Sequence, residues 1–262
     1  MRFFFIPLIV FSISSCTSQV EPETVQPTEN TEANQEALKP DPVWEYYFAH
    51  AQDSIDGKSI GTVSNGSLEN GSLIPFSGDN YRYFDTSSYL SGRAFSHQRV
   101  VRSLTECYAA FYEAGEARTF RVMECSNEHG GRLFPHRTHQ NGLSVDLMTP
   151  LLKNGERFEE LDNMGLTHYS LAFNDDGELS DDPNVTIDFD MIAQHLLALN
   201  EAAKKNGLKI TKVIFKMELK DELYASVHGT ELKNSGIYIT KNLSPLINEL
   251  HDDHYHVDFA FQ

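Results

Sequence analysis

Two short histidine-rich segments, one in the middle of the chain and one near its end, constrain the fold more than any other feature. One extends from His136 to Asp146 and the other from His251 to His256, and together they contain five of the eleven histidines. Because alternate side chains of a strand point to the same face, His254 and His256 would face the same way in a strand. A neighbouring strand carrying Asp146 could face them, so the sequence favours a fold in which the two segments meet.

The two segments contain the ligand types that a catalytic zinc ion prefers. Zinc binds neutral imidazole nitrogen and carboxylate oxygen, and a catalytic site keeps three protein ligands and one open position. His139, Asp146 and His256 would supply such a triplet, with water in the fourth position. An H-x-H pair is common by chance at this histidine content, whereas the string H-x2-H-Q-x-G-x3-D is rare, so the longer string carries the signal.

Helix and strand patterns predict an α+β fold in which helices flank an antiparallel sheet. Residues 98–115 carry apolar side chains at helical spacing, and Asp188 begins a second long helix that ends at Gly207. Helices and strands do not alternate regularly, which favours α+β over a parallel α/β sheet. Shorter helices are predicted at residues 43–55, 218–226 and 243–250, and strands at residues 119–125, 143–148, 209–215 and 255–261.

The N-terminal residues are typical of a bacterial lipoprotein leader. Arg2 precedes an apolar run, residues 3–14, that is too short to span a bilayer comfortably, and small residues come directly before Cys16. This pattern resembles a lipobox, in which the cysteine is lipidated and becomes the mature N-terminus; an ordinary signal peptide is the alternative. We therefore predict a lipoprotein signal peptide at residues 1–16, a proline-rich disordered linker at residues 17–42 and a globular domain at residues 43–262.

A lipid anchor would place the domain in the bacterial cell envelope, on the periplasmic side of a membrane. Thr17 stands where an aspartate retains some lipoproteins at the inner membrane, which slightly favours the outer membrane. The formal net charge is −17, from 21 Lys and Arg against 38 Asp and Glu, and such an acidic surface repels nucleic-acid phosphates. In an oxidising compartment Cys107 and Cys125 could form a disulfide or remain separate buried thiols. The oligomeric state is left open.

The histidine segments resemble those of the penicillin-insensitive murein endopeptidases, within the wider lysostaphin/D-Ala-D-Ala-peptidase/hedgehog-like group of metallopeptidases. The group has the signatures H-x6-D and H-x-H. The murein endopeptidase version adds a His three residues before each signature and a Gln after the first ligand, and all of these are present. The resemblance covers residues 59–257 and includes Ser59-Ile60-Gly61, Asn65-Gly66, Tyr81, Tyr83-Phe84, His97 and Gly130-Gly131.

This resemblance implies a hedgehog/D-Ala-D-Ala-peptidase-like fold and a zinc-dependent endopeptidase that hydrolyses D-Ala–diaminopimelate cross-links of peptidoglycan. A D,D- or L,D-carboxypeptidase acting on stem peptides, or an inactive zinc-containing cell-wall-binding module, are the alternatives. A closed structural zinc site, with His136 as fourth ligand, is a further one. By the resemblance His139, Asp146 and His256 are zinc ligands, His254 is the catalytic base or transition-state stabiliser, and His136 and His251 assist in or beside the ligand set.

Two regions depart from the family pattern. Val257-Asp258 follows the H-x-H pair where the family usually has an arginine soon after, and residues 150–183 form an acidic segment that we interpret as a surface excursion. Either could line the substrate groove, so the preference for one cross-link type stays open. The remaining candidates are interpreted conservatively: Glu249, Asp252 and Asp253 as an acidic helix end, His50, His168, His195 and His228 as surface or core residues, and His97 as a groove or fold-supporting residue.

The lipoprotein interpretation predicts the behaviour of one variant. Cys16→Ala removes the thiol to which the lipid would be attached, so we expect the protein to move from the membrane fraction to the soluble fraction on cell fractionation. Unchanged membrane association of the variant would contradict the anchor.

Overall fold

The computed structural model describes residues 41–51 and 56–262, so the predicted leader, Cys16 and nearly all of the predicted linker lie outside the described residues. The described residues mix helices with mostly antiparallel strands, which confirms the predicted α+β class. No helix among them is both long enough and apolar enough to cross a bilayer. The α-helices are α1 (Pro42–His50), α2 (Thr86–Leu90), α3 (Gln98–Glu113), α4 (Phe189–Lys205), α5 (Lys220–Ala225), α6 (Gly229–Asn234) and α7 (Pro245–Glu249).

The strands include all four that the sequence predicted, with shifted ends. The predicted strand at residues 119–125 shortens to three residues, those at 143–148 and 255–261 differ by one residue at one end, and that at 209–215 is shifted by one residue to 208–214. The strands are β1 (Lys58–Thr62), β2 (Asn65–Glu69), β3 (Ser72–Leu73), β4 (Ser77–Gly78), β5 (Tyr81–Tyr83), β6 (Phe95–Ser96), β7 (Phe120–Val122), β8 (Ser144–Met148), β9 (Leu151–Lys153), β10 (Glu156–Phe158), β11 (Glu178–Leu179), β12 (Asp182–Ile187), β13 (Leu208–Ile214) and β14 (His254–Phe261).

A six-stranded sheet in the order β13-β14-β8-β7-β5-β4 forms the centre of the fold. Neighbouring strands run antiparallel except β5 and β7, which are parallel. β14 lies directly beside β8, and its register sets His256 opposite Asp146 and Val257 opposite Val145. The expectation that the strand at residues 143–148 neighbours the H-x-H strand is therefore confirmed.

The long helices α3 and α4 pack against each other and against one face of this sheet. Asp188 caps α4 by accepting a hydrogen bond from the backbone N–H of Met191 (3.0 Å), as its position before an apolar helical pattern predicts. Tyr255 of β14 reaches this face, where its hydroxyl group is hydrogen-bonded to Nδ1 of His195 in α4. Because strand side chains alternate, His254 and His256 on either side of Tyr255 face away from the helices. One face of β14 thus supports the core while the other carries polar side chains.

The segment at residues 150–183 is more ordered than a surface excursion. It contributes β9, β10, β11 and the start of β12 to the sheet β10-β9-β12-β11, together with two 3₁₀ turns, Leu161–Asn163 and Gly165–Ser170. Phe173 and Leu179 are buried in the main hydrophobic cluster, although acidic residues surround them in the sequence. The interpretation as an excursion was incomplete, because strands of two to six residues give too short a pattern to recognise.

Cys107 and Cys125 are both buried and both free, so the structure favours the alternative with two separate thiols. Cys107 belongs to the core face of α3. Burial raises the pKa of both thiols well above the usual value, so they remain protonated and unreactive at neutral pH.

The burial of His195 predicts an acid-sensitive core. Burial lowers the pKa of His195 to about 3. Below about pH 6.5 the His195 side chain is therefore protonated in the unfolded chain but stays neutral in the folded chain. Stability is therefore lost as the pH falls. We expect wild type to lose up to about 1.4 kcal/mol more per pH unit than His195→Gln between about pH 6 and 4, as measured by urea unfolding. Equal slopes in the two proteins would contradict this assignment.

Candidate metal centre

The register of β8 and β14 brings the predicted ligands together. Nδ1 of His256 lies 2.8 Å from Oδ1 of Asp146, and Nε2 of His139 lies 3.2 Å from the same oxygen. The ring centroids of His139 and His256 are 4.7 Å apart. All three side chains are buried. The structure thus gathers His139, Asp146 and His256 at one point on the polar face of the sheet.

The loop before β8 holds His139 in an unusual conformation. Its φ of +66° is uncommon for a residue other than glycine and costs energy that the surrounding contacts must offset. Ser126 donates its hydroxyl hydrogen to the carbonyl oxygen of His139 (2.7 Å), and the next carbonyl, of Gln140, accepts from Gly131 N–H (2.8 Å). A Cβ on Gly130 would come within 2.3 Å of the Gln140 carbonyl oxygen. Gly130 is needed for this close approach.

Two buried atoms of this group have no hydrogen-bond partner, and they test whether a metal ion fits. Nδ1 of His139 donates to the carbonyl oxygen of Cys125, which leaves a lone pair on Nε2. Nε2 of His139 and Oδ2 of Asp146 are both buried without a partner. An unpaired buried carboxylate oxygen and imidazole lone pair are costly unless a cation binds them. The donor set therefore fits a divalent metal.

The protonation of these two groups agrees with a metal site. Burial lowers the pKa of His139 below its usual value, so the ring is neutral and able to act as a ligand. Burial would raise the pKa of Asp146, but His139 and the other neighbouring histidines hold it well below its usual range. Asp146 is therefore ionised.

His136 is a fourth side chain at this point, so two ligand triplets are possible. The ligand atoms of His136, His139 and Asp146 lie within 4.8 Å of one another. His256 also approaches Asp146, as described above. His136 is the more exposed ring, with 17% of its side chain accessible against 2% for His256. We favour the triplet with His256, because the three ligands are then all buried and the more exposed His136 remains on the side that solvent can reach.

A carboxylate that the sequence analysis did not single out holds His256 in place. Oδ1 of Asp258 lies 2.7 Å from Nε2 of His256, and Asp258 also contacts Ser144 Oγ (2.6 Å) and Lys212 Nζ (2.6 Å). Burial lowers the pKa of His256, but the carboxylates of Asp258 and Asp146 outweigh this and raise it to about 9, so without a metal ion Nδ1 also carries a proton and donates it to Asp146 (2.8 Å). With Nε2 held by Asp258, Nδ1 is the nitrogen that would lose its proton to bind a metal ion. Such a carboxylate behind a metal-binding imidazole orients the ring and fixes its tautomer.

His254 has a carboxylate partner of its own. Oδ1 of the buried Asp253 accepts a hydrogen bond from Nδ1 of His254, so Nε2 is left free. Burial lowers the pKa of His254, but the charge of Asp253 outweighs this and raises it above its usual value. Asp252 accepts from the backbone N–H of Phe173 (3.0 Å). The interpretation of Asp252 and Asp253 as an acidic helix end was wrong, because both are buried; Glu249 is exposed at the end of α7.

His251 and His136, the remaining histidines of the two segments, lie beside the centre. The ring of His251 is 4.8 Å from that of His254, and its Nδ1 donates to the carbonyl oxygen of Ile247 (2.6 Å). Burial lowers the pKa of His251 to about 3, which keeps it neutral. His136 donates from Nε2 to Glu124 (2.6 Å), a buried carboxylate that the sequence analysis missed.

The isolated histidines that the sequence analysis assigned to the surface or core behave so. His97 caps α3 by accepting the backbone N–H of Arg99 at Nδ1 (3.2 Å), and its ring packs against Phe261. His97 therefore supports the fold. His168 and His195 are buried, and His168 contacts the carbonyl oxygen of Asp253 through Nε2 (3.2 Å).

Comparison with known proteins identifies one family. A family model described as penicillin-insensitive murein endopeptidase matches residues 59–261, which is more than three quarters of the chain. No curated protein matches the chain. The resemblance that the sequence analysis drew over residues 59–257 is thereby confirmed.

The Asp258 contact predicts a change in metal affinity. Asp258→Asn weakens the acceptor behind His256, so we expect metal affinity to fall by about 10- to 100-fold, as measured by competition with a chromogenic chelator. Asp253→Asn is the matched control, because Asp253 holds His254 and contacts none of the three favoured ligands. Equal losses of affinity in the two variants would contradict the role of Asp258.

Proposed function

Because the chain belongs to the penicillin-insensitive murein endopeptidase family and is therefore a metallopeptidase that acts on murein, we propose that it is zinc-dependent and hydrolyses D-Ala–diaminopimelate cross-links of peptidoglycan. One observation carries the proposal. The unpartnered Nε2 of His139 and Oδ2 of Asp146 are buried side by side, next to Nδ1 of His256. Two imidazoles and one carboxylate are the ligand set of many catalytic zinc sites.

In this proposal His139, Asp146 and His256 hold the zinc ion. When bound, zinc supplies a Lewis acid that polarises the scissile carbonyl and acidifies a water molecule. The chain fixes the geometry of the ligands. The carbonyl oxygen of Cys125 accepts a hydrogen bond from Nδ1 of His139, and Asp258 accepts one from Nε2 of His256, so the other nitrogen of each ring is left to bind the metal.

His254 is the proposed general base. Asp253 holds its Nδ1–H, so the lone pair on Nε2 is available to take a proton from the attacking water. The raised pKa favours the protonated ring once the proton has been taken, and His254 then returns the proton to the leaving amine. Asp253 orients the imidazole and stabilises the imidazolium, as carboxylates do in other acid–base dyads.

His136 and His251 have supporting roles in this proposal. His136, fixed by Glu124 and partly exposed, lies where the substrate would enter. His251 keeps a neutral ring beside His254, so it limits the positive charge near the base. Either ring can also donate or accept a hydrogen bond with the bound peptide.

A murein substrate also agrees with the predicted lipoprotein leader. Peptidoglycan lies outside the cytoplasm, and an anchor at Cys16 would hold the domain in the cell envelope beside it. We propose this location on the strength of the leader sequence and the family together.

Digestion of purified cross-linked muropeptides by the zinc-loaded protein, read by mass spectrometry, tests the function. We expect dimers to gain one water and become monomers. Asp146→Ala should lose zinc and activity, and His254→Ala should keep zinc but lose about 10²- to 10⁴-fold in kcat. His228→Ala is the matched control, because His228 pairs with Asp190 rather than with any of the proposed ligands.

The products separate the alternatives. Loss of a terminal alanine from uncross-linked stems, with dimers untouched, would identify a carboxypeptidase instead. Full activity of a zinc-loaded His254→Ala variant would contradict the assignment of the base. Bound muropeptide without any product would identify a binding module.

A further inference from the structure

The hydroxyl group of Tyr169 is an unmet hydrogen-bond donor beside the candidate centre. Tyr169 is half-buried, but its hydroxyl oxygen is buried and has no hydrogen-bond partner. Its ring meets the ring of His254 edge to face, with centroids 5.4 Å apart, and meets Phe84 in the same way at 5.8 Å. The residue belongs to the segment at residues 150–183, which the family resemblance did not explain.

The turn that carries Tyr169 is fixed to the same residue that holds the proposed base. Tyr169 lies in the 3₁₀ turn Gly165–Ser170, and the preceding residue, His168, contacts the carbonyl oxygen of Asp253 (3.2 Å). Asp253 in turn holds Nδ1 of His254 through its carboxylate. Tyr169 and His254 therefore share one support, which keeps the phenol and the base in a constant relation.

The surroundings of the phenol keep it protonated. Burial raises the pKa of Tyr169 well above its usual value, and the negative charges of Asp146 and Glu124 raise it further. A neutral phenol in this position is a donor at any physiological pH.

Leaving a buried hydroxyl without a partner destabilises a protein, so such a group calls for an explanation. Tyr108 offers the comparison, since its hydroxyl is also buried and unpartnered. The ring of Tyr108 stacks among Tyr81, Phe120 and His195 in the core, far from any reacting group. Tyr169 differs because its ring contacts His254, the proposed base.

We propose that Tyr169 is a further catalytic residue, whose hydroxyl donates a hydrogen bond to the oxygen of the scissile carbonyl as negative charge develops there. The inference rests on the proposed function, and no bond is made or broken by the phenol itself. A preorganised donor that gains its partner only as the carbonyl oxygen becomes anionic stabilises the transition state more than the substrate.

Tyr169→Phe, which removes only the hydroxyl, tests this role. We expect kcat on muropeptide dimers to fall by about 10²-fold while KM stays within about threefold. Affinity for a phosphinic-acid analogue of the D-Ala–diaminopimelate bond, measured by calorimetry, should fall by a similar factor. Zinc affinity and the unfolding midpoint should not fall, because the deleted group has no partner in the free protein. Tyr108→Phe, which also removes a buried unpartnered hydroxyl, should leave kcat, KM, analogue affinity and zinc affinity unchanged.

Three results for the Tyr169→Phe variant would overturn the proposal. Weaker zinc binding by Tyr169→Phe would make the phenol a metal ligand, and a raised KM with unchanged kcat would make it a substrate-binding group only. Unchanged kcat and unchanged analogue affinity would show that the Tyr169 hydroxyl takes no part in the reaction. The activity of the wild type tests the proposed function separately. If the wild type cleaves only uncross-linked stems, the endopeptidase assignment is wrong, and the role of Tyr169 is then tested on that reaction. A wild type that neither cleaves any muropeptide nor binds the analogue overturns both.

Discussion

The candidate centre depends on one pairing, the antiparallel register that sets His256 of β14 opposite Asp146 of β8. Side chains alternate along both strands, so this register decides at once which residues reach the core and which reach the centre. Tyr255 is bound by His195 on the helix face, while His256 meets Asp146 on the other. A slip of one residue would bury the ligands against the helices. The apolar core formed with α3 and α4 therefore also enforces the geometry of the polar face.

Around that pairing, the imidazole of each proposed histidine ligand and of the proposed base donates a hydrogen bond to an acceptor on the side away from the centre. His139 donates to the Cys125 carbonyl, His256 to Asp258 and His254 to Asp253. These hydrogen bonds determine which nitrogen of each ring remains available to bind a metal ion or to accept a proton. It also adds negative charge behind the centre, which favours a bound cation. The positive φ of His139 belongs to the same preorganisation, since the loop contacts hold the ring where the two strands need it.

The sequence predicted the parts of this arrangement that follow from periodicity and motif spacing. The long helices, the strands β8 and β14 and the convergence of His139, Asp146 and His256 all came from such patterns. Asp258 could have been found by the same reasoning, because it follows His256 by two residues on one strand face. Glu124 and Asp253 could not, since their roles depend on a loop path and on burial that no local pattern encodes. The small sheet at residues 150–183 was missed because its strands are too short.

That small sheet is inserted between the end of β8 and the start of α4. The same insertion contacts residues beside the centre, because the His168 side chain reaches the carbonyl oxygen of Asp253 and the backbone N–H of Phe173 donates to Asp252. The proposed metal ligands lie outside it, on strands and a loop held by the main core, whereas the proposed catalytic residue Tyr169 and its neighbour His168 lie in the same inserted segment. The outer strands can therefore differ in length and side chains without disturbing the ligands, provided that His168 and Tyr169 keep their places. A change in these strands alters the surroundings of the hydrolytic centre while the strands that hold the proposed ligands stay the same.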